Sequence, residues 1–274
     1  MANFVKNIVR FYGNKDELEK LVTFFKQGNR KELDFNLVVP EPKDLANAVA
    51  PYDSKGLLVG EYLITGKLEE NLGHNKDWYD KVKESMSQIL ERHFESDKEL
   101  VEAYISVLAR GNESQKEKYL TMYKTWYNNW KQYGYPDWFD WRVKHWGTKW
   151  NACHSDSLDT LILKEGYVKG SYSLQYTFET AWNMPEPFFL ALSKVFPEIT
   201  VEVQYANEDI GADVGMMSFE GGEILDDERY ECYSRDAMEE ALCIWGDDDQ
   251  IPYLVSDEDG NWSVDWDAYE KDAG

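Results

Sequence analysis

The stretch SYSLQYTFETAW, at residues 171–182, decides the fold expected for this sequence. Large apolar side chains occupy every second position from Tyr172 to Phe178, and small polar side chains stand between them. Because successive side chains of a strand point to opposite faces of a sheet, this alternation predicts a β-strand with one buried face. Such a face must be covered by helices or by a second sheet.

A helix and another strand follow this stretch. Pro185 and Pro187 suit the first turn of a helix, because an N–H there lacks an intrahelical acceptor. An apolar stripe continues that helix up to Pro197: Phe188, Phe189, Leu192 and Val195. Residues 199–205, ITVEVQY, alternate again and predict a strand. This part of the chain therefore has the order strand, helix, strand.

The same order is expected near the start of the sequence. Residues 3–12, NFVKNIVRFY, predict a strand. Asn14 can cap a helix together with Glu17 three residues later, and a helical apolar stripe follows. Residues 33–39, LDFNLVV, then predict a second strand that ends at the prolines after it.

Two strand–helix–strand halves with similar spacing are typical of a ferredoxin-like sandwich of the α+β class. In that fold two helices cover one face of a four-stranded antiparallel sheet. The same order could also come from two unrelated halves. We expect a ferredoxin-like domain formed by residues 1–42 and 136–225, a helical insertion at 43–135, and an acidic C-terminal appendage at 226–274 that packs on the domain.

The insertion and the appendage have recognisable elements of their own. Helical periodicity predicts three helices in the insertion, at residues 77–94, 98–110 and 113–133. In the appendage, RDAMEEALCIW at residues 235–245 carries an apolar stripe, which predicts a helix packed on the domain. A hairpin is expected after it, with strands at 252–255 and 261–266 joined by the turn DEDG.

Three tryptophans and four basic side chains share residues 141–152, WRVKHWGTKWNA. Tryptophan is used where a large apolar body is buried while its N–H keeps a partner, so the segment is expected to be a structural hub. The alternative is a basic aromatic surface that stacks on bases or binds a partner. Gly147 and Thr148 predict a turn in its middle.

Negative charge is concentrated in the C-terminal quarter of the chain. The 274 residues carry a formal net charge of −23, and residues 198–274 contain 24 Asp and Glu against 3 Lys and Arg. Such a field repels nucleic-acid phosphates and attracts basic surfaces. We therefore expect no direct nucleic-acid binding by this quarter. An acidic surface that only keeps the protein in solution is the alternative.

Composition also excludes several classes of protein. An aromatic content of 15 % is incompatible with disorder over most of the length. The sequence has no run of 18 apolar residues and no signal-peptide pattern at its start, so we expect no membrane association and a location in the host cytoplasm. Cys153, Cys232 and Cys243 lack CxxC spacing and predict neither a disulfide framework nor a zinc site.

Several longer motifs resemble a known family. The motifs are DWRVKHWGTKWNA at residues 140–152, FETAWNMPEPFFLALSKVFPEI at 178–199 and VEVQYANEDIGADVGMMSFEGGEI at 201–224. Together with the opening MANFVKNIVRFYG, they are similar to the YubB-type proteins of phages and conjugative plasmids. The resemblance implies a ferredoxin-like fold and a mobile-element origin, and it implies no activity or catalytic residue.

Candidate catalytic and metal-binding residues are few. Cys153, His154 and Asp156 are close in sequence, but neighbouring side chains on an extended chain point apart. His145 with His154 and Cys153 matches no zinc-binding spacing. DEDG at residues 257–260 resembles the start of a calcium loop but lacks its final glutamate, and the glycine-rich stretches lack a phosphate-loop motif. We expect no enzyme, no cofactor and no metal.

These observations favour a non-catalytic phage or mobile-element protein with an anti-defence role, which inhibits a host protein through an acidic, DNA-mimicking surface. The expected partner is a host protein with a basic surface, a defence nuclease or another nucleic-acid-binding protein. The expected partner-binding residues are Asp226, Asp227, Glu228, Glu231, Glu239, Glu240, Asp247, Asp248, Asp249, Asp257, Glu258, Asp259, Trp262 and Trp266. Two alternatives stay open: an uncharacterised enzyme, and a single-stranded nucleic-acid-binding protein that stacks bases on Tyr172, Tyr176 and Phe178.

Overall fold

A six-stranded antiparallel sheet forms the centre of one of the two compact units of the chain. The computed structural model describes residues 3–28, 31–50, 53–68, 76–108 and 113–273. We refer to Met1–Pro40 with Arg142–Gly274 as the sheet unit, and to Glu41–Trp141 as the helical unit.

The strands of the large sheet are β1 (Phe4–Gly13), β2 (Lys164–Glu165), β3 (Tyr172–Ala181), β4 (Thr200–Asn207), β5 (Val214–Glu220) and β6 (Glu223–Arg229), and a separate hairpin pairs β7 (Leu254–Ser256) with β8 (Trp262–Val264). The helices are α1 (Lys15–Phe25), α2 (Lys43–Ala46), α3 (Ser54–Thr65), α4 (Lys76–Ile89), α5 (Asp97–Leu108), α6 (Glu113–Tyr133), α7 (Trp138–His145), α8 (Glu186–Val195), α9 (Arg235–Trp245) and α10 (Trp266–Ala273).

The strand order is that of a split βαβ sandwich with an extension. It runs β2, β3, β1, β4, β5, β6, and every neighbouring pair is antiparallel. The first four strands in this order form the ferredoxin-like sheet with β1 near its middle. The hairpin of β5 and β6 adds two strands beyond β4. The α+β ferredoxin-like fold is thus present, with a sheet wider than the four strands expected.

The main core lies between the sheet and the helices α1 and α8. Val5, Val9 and Phe11 of β1 are buried and alternate with half-buried residues, as the sequence pattern predicts. The ring of Phe189 in α8 stacks on that of Phe219 in β5, with ring centroids 5.7 Å apart. Burial of this aromatic and aliphatic surface is the dominant favourable contribution to folding.

Local signals set several helix ends as predicted. The backbone N–H of Glu17 donates to the side-chain oxygen of Asn14 over 3.0 Å, which is the expected cap. Helix α9 begins and ends at the predicted residues. Ser234 caps its start by accepting from the N–H of Ala237, and Gly246 ends it in the left-handed conformation that glycine favours.

The strand predicted at residues 33–39 is wrong. Phe35–Leu37 forms a single 3₁₀ turn instead, and the edge position of the second ferredoxin strand is filled by the two-residue β2. Phe35 is fully buried, with its ring 4.1 Å from that of Phe188. Asp34 caps the turn by accepting from the backbone N–H of Asn36. An apolar run of this length fits a buried turn as well as a strand, because periodicity alone does not distinguish them.

The helical unit contains the three predicted helices as α4, α5 and α6. Helix α4 ends at Ile89, earlier than expected, and the predicted end of α5 at Arg110 lies outside the described residues. Helix α3 was not predicted, because Leu57, Leu58 and Val59 are all buried and leave no polar stripe to mark a period. No helix within the described ranges is long and apolar enough to cross a bilayer.

The C-terminal residues belong to the sheet unit rather than forming a separate one. Helix α9 packs on the sheet face opposite α1 and α8, where Ala237, Ala241 and Ile244 contact Ala206 and Val214. The predicted hairpin is present as β7 and β8. The helix α10 that follows was not predicted.

The tryptophan-rich segment has a buried part, as the predicted structural hub requires, and an exposed part. Trp146 is buried, and its indole N–H donates to the carbonyl oxygen of Val39 over 2.9 Å. Trp150 is 39 % exposed, and the ammonium nitrogen of Lys149 lies 4.2 Å from its ring centroid and 3.6 Å from that of Trp182. The segment is therefore a structural hub at Trp146 and an exposed cation–π cluster at its end.

We expect Trp146→Phe to lower the free energy of unfolding by about 2–3 kcal/mol, because it removes the indole donor and leaves a void in the core. Urea denaturation followed by circular dichroism measures this. The matched control, Trp150→Phe at the partly exposed position, should change stability by less than about 0.5 kcal/mol. Equal losses of unfolding free energy in the two variants would contradict the structural role of Trp146.

Candidate functional site

The residues expected to bind a partner are spread over six pieces of the sheet unit. Strand β6 carries Asp226, Asp227 and Glu228, the loop after it carries Glu231, and α9 carries Glu239 and Glu240. Asp248 and Asp249 open the 3₁₀ helix Asp248–Tyr253, with Asp247 at its N-cap. Asp257, Glu258 and Asp259 form the turn of the small hairpin, Trp262 lies in β8, and Trp266 begins α10.

Helix α9 holds its carboxylates over the sheet because its apolar stripe is buried. Ala237, Ala241 and Leu242 are each at most 1 % exposed. The side chain of Glu240, on the flank of this stripe, accepts from the amide of Gln204 in β4 over 3.3 Å. The acidic residues of α9 therefore lie on an ordered helix packed on the sheet.

The charges that raise the pKa values of Tyr230 and Cys243 indicate which carboxylates lie near these two side chains. Burial raises the pKa of Tyr230, and the charges of Glu240, Glu228 and Asp236 raise it further because they oppose the phenolate. Burial likewise raises the pKa of the Cys243 thiol, with further contributions from Glu240, Asp248 and Glu239. These five carboxylates form what we call the carboxylate patch: Glu228, Asp236, Glu239, Glu240 and Asp248.

Positive charge near the carboxylate patch is scarce. Arg235 donates from Nε to Glu239 over 2.6 Å. Within the part of the chain that the structure describes, Glu228, Asp236 and Asp248 form no ion pair. Most of the patch is therefore available to an external cation or a basic surface.

Two further aspartates border the carboxylate patch. The hydroxyl of Tyr269 donates to Asp249 over 2.8 Å. This bond is the first cause of the raised pKa of Tyr269, and the charge of Asp247 adds to it. Asp247 and Asp249 thus lie near Tyr269 of α10. Trp266 of the same helix is 54 % exposed.

Other predicted residues have local structural roles instead. Asp227 forms a two-point ion pair with Arg229, at 2.8 and 3.2 Å. Asp257 accepts from the backbone and side chain of Asn261, and these bonds lower its pKa. Trp262 is half-buried under the guanidinium of Arg235. The carboxylates of Asp227 and Asp257 are therefore engaged within the protein and are less available to a partner.

Asp236 is a member of the carboxylate patch that the sequence analysis missed. It lies three and four residues before Glu239 and Glu240 on α9. Side chains at these helical spacings are neighbours, so the spacing itself was the available signal.

The alternative sites considered from the sequence find less support. The Cys153 thiol lies 3.4 Å from the carbonyl of Glu179, and His154 Nδ1 lies 2.5 Å from the carboxylate of Glu179. Tyr176 and Phe178, two of the three residues considered for base stacking, are completely buried. In the described residues, no group of three His, Cys, Asp or Glu side chains is placed to hold a metal ion.

The sheet order and the two covering helices define the sheet unit as a ferredoxin-like domain. Residues 146–246 match the family described as the ferredoxin-like domain in Api92-like protein. A crystal structure of the protein Api92 from Yersinia pseudotuberculosis is similar at 12 % sequence identity, over 84 % of this chain and 99 % of that chain, with a TM-score of 0.36. No curated protein matches the sequence. The ferredoxin-like fold implied by the sequence is confirmed by the family match.

The position of the carboxylate patch depends on the packing of α9. Introducing a polar side chain on the buried face of this helix tests that packing. Ala241→Asn places a larger amide against Ala206 and Val214, so we expect a loss of about 2–4 kcal/mol of stability in urea denaturation. Cys243→Asn, at an exposed position of the same helix, should be nearly neutral. Similar behaviour of the two variants would mean that α9 does not pack as described.

Proposed function

We propose that this chain is a non-catalytic binding protein of mobile-element origin, whose carboxylate patch binds a basic surface of a host protein. A defence nuclease or another nucleic-acid-binding protein is the expected class of partner. The observation that carries the proposal is the carboxylate patch itself. Among the described residues, Glu228, Asp236 and Asp248 form no ion pair, and α9, which carries three of the five carboxylates, is packed on the sheet.

The chemistry of the patch supports a polyanion-binding partner. Proteins that bind nucleic acid present clustered Lys and Arg, and an ordered set of carboxylates offers these groups the same charge as a row of phosphates. The patch repels nucleic acid itself. It therefore favours competition with DNA or RNA for a protein surface rather than binding to DNA or RNA.

Order in the patch matters for affinity as well as for charge. The backbone of α9 is already ordered before binding, so binding need not order it and more of the interaction energy remains as affinity. Complementary charge also accelerates the encounter of the two proteins at low salt. The exposed ring of Trp266 beside the patch adds an apolar contact of the kind that anchors interfaces.

The proposal is tested by capture from host lysate, with the tagged protein washed at low and high salt in the presence of nuclease. We compare it with a variant in which the patch is neutralised by Glu228→Gln, Asp236→Asn, Glu240→Gln and Asp248→Asn. We expect a basic protein to bind the unmodified chain, to be released by salt or added duplex DNA, and to bind the variant about tenfold more weakly or worse.

The control variant removes four negative charges elsewhere on the sheet unit: Asp16→Asn, Glu19→Gln, Glu165→Gln and Glu198→Gln. It has the same net charge as the patch variant, so it should keep the partner if position matters. Equal weakening in both variants would reduce the effect to overall charge. Capture of no basic protein, or undiminished capture by the patch variant, would refute the proposal.

A further inference from the structure

A small polar cleft lies on the other side of β6, at the end of the sheet near the start of α8. Its volume is about 260 Å³, and its walls include Glu186, Pro187, Tyr205, Asp213 and Arg229. Gly147 of the tryptophan-rich segment also lines the cleft. It lies close against the start of α8, because a Cβ there would be 2.6 Å from the ring of Pro187. Ligand pockets for drug-sized molecules are usually 300–1,000 Å³, so this cleft fits one side chain or a molecule of that size.

Tyr205 is almost completely buried, yet among the described residues its hydroxyl has no hydrogen-bonding partner. The side chain is 2 % exposed and lies opposite Gly215 on β5. A Cβ at Gly215 would lie 2.7 Å from the hydroxyl oxygen, so the glycine makes room for it. Within the described chain this hydroxyl makes no hydrogen bond, and the charged groups that act on it are those around the cleft. The ring is buried, but the hydroxyl is not among the enclosed polar atoms, and Tyr205 lines the cleft, where a ligand or water can reach it.

Asp213 is the second group in the cleft that has no hydrogen-bonding or ionic partner among the described residues. Among the described residues its carboxyl forms neither a hydrogen bond nor an ion pair, although it is half-buried. Its backbone adopts the left-handed conformation, with φ +47°. Asparagine would fit this backbone equally well and would avoid burying a charge. Asp213 thus keeps a half-buried carboxylate where an uncharged residue would suit the backbone equally well, as residues of functional sites often do.

The charge of the cleft selects a cation. Arg229 is already engaged, since its Nε and Nη2 contact Asp227 at 2.8 and 3.2 Å and Nη2 contacts Glu186 at 3.2 Å. Three carboxylates thus face one guanidinium. The start of α8 offers an anion little, because Pro187 has no N–H and the N–H of Glu186 donates to Met184.

We propose that this cleft binds a single guanidinium group, with the carboxylate of Asp213 and the hydroxyl of Tyr205 as its hydrogen-bonding partners. A guanidinium suits the site better than an ammonium because its planar fork matches a carboxylate and it is more easily desolvated. The group could belong to a free small molecule or to an arginine of a partner protein. The inference does not rest on the proposed function, because Asp227 and Arg229 point to the α8 side of β6 while Glu228 points to the α9 side.

Binding at this site should depend on pH in a defined direction. Burial raises the pKa of Asp213, and Arg229 opposes this in part. Asp227 and Glu186 also face the site, and burial raises the pKa of Tyr205 to about 12, so its hydroxyl stays neutral. A guanidinium keeps its charge throughout. Its affinity should therefore fall as the pH is lowered through the pKa of Asp213.

The test uses methylguanidinium chloride as the probe on the full chain, with binding followed by chemical-shift changes in two-dimensional NMR. We expect saturable shifts at residues around the cleft. Asp213→Asn should weaken binding about tenfold or more, and Tyr205→Phe by a smaller factor. The control Asp209→Asn, in the same loop but outside the cleft, should bind like the unmodified protein. A peptide with one arginine, compared with the free probe, distinguishes a protein source from a small molecule.

The stability of Asp213→Asn provides a second measurement. A raised folded-state pKa means that the native carboxylate lowers stability, increasingly as pH rises above the unfolded value near ~3.9. At neutral pH the variant should therefore have a higher urea midpoint than the unmodified protein, and the difference should shrink towards pH 4. Unchanged probe binding in both cleft variants, shifts centred on α9, or saturable binding of sulfate at the cleft in place of the cation would overturn the proposal.

Discussion

The hydrogen bond from the indole of Trp146 to the carbonyl of Val39 closes the sheet unit across a long excursion of the chain. The two residues are 107 positions apart, and the helical unit occupies most of the interval. Closing a flexible loop of about a hundred residues costs about 4 kcal/mol of entropy, and the cost grows only slowly with length. A buried tryptophan with a satisfied N–H can offset a large share of that cost, which explains how a ferredoxin-like sheet tolerates an insertion of this size between α1 and β2.

Strands and helices with one buried face were predictable, and elements without a contrast between faces were not. The alternation on β1, β3 and β4 predicted their positions closely, because each has one face in the core and one half-exposed. Residues 33–39 were misassigned because Phe35 enters the core from a 3₁₀ turn. Helix α3 was missed because its buried residues lie on all its sides and leave no polar face. Both errors concern segments buried on several sides, for which periodicity carries little information.

The same limit applies to the candidate sites, whose residue types were predictable but whose contacts were not. The sequence correctly located an excess of acid in the last quarter, but it did not show which carboxylates have partners. Asp227 forms an ion pair with Arg229, two residues later on the same face of β6. This pair follows from strand periodicity only once residues 223–229 are assigned to a strand, which the sequence analysis did not do. The cleft at Tyr205 depends on the register that sets this residue opposite Gly215. Strand pairing is a tertiary property, so the cleft is not encoded in a local pattern.

The alternation on β6 separates two electrostatic environments across one strand. On the α8 side, Asp227 and Glu186 share the charge of Arg229 in a narrow cleft, whereas on the α9 side Glu228 joins carboxylates with few cations. Repulsion within such a set lowers stability, and α9 remains packed because its apolar stripe is buried on the sheet. Solubility alone needs neither this concentration of charge nor its attachment to an ordered helix. The combination of the two fits the positively charged partner that we propose for this surface.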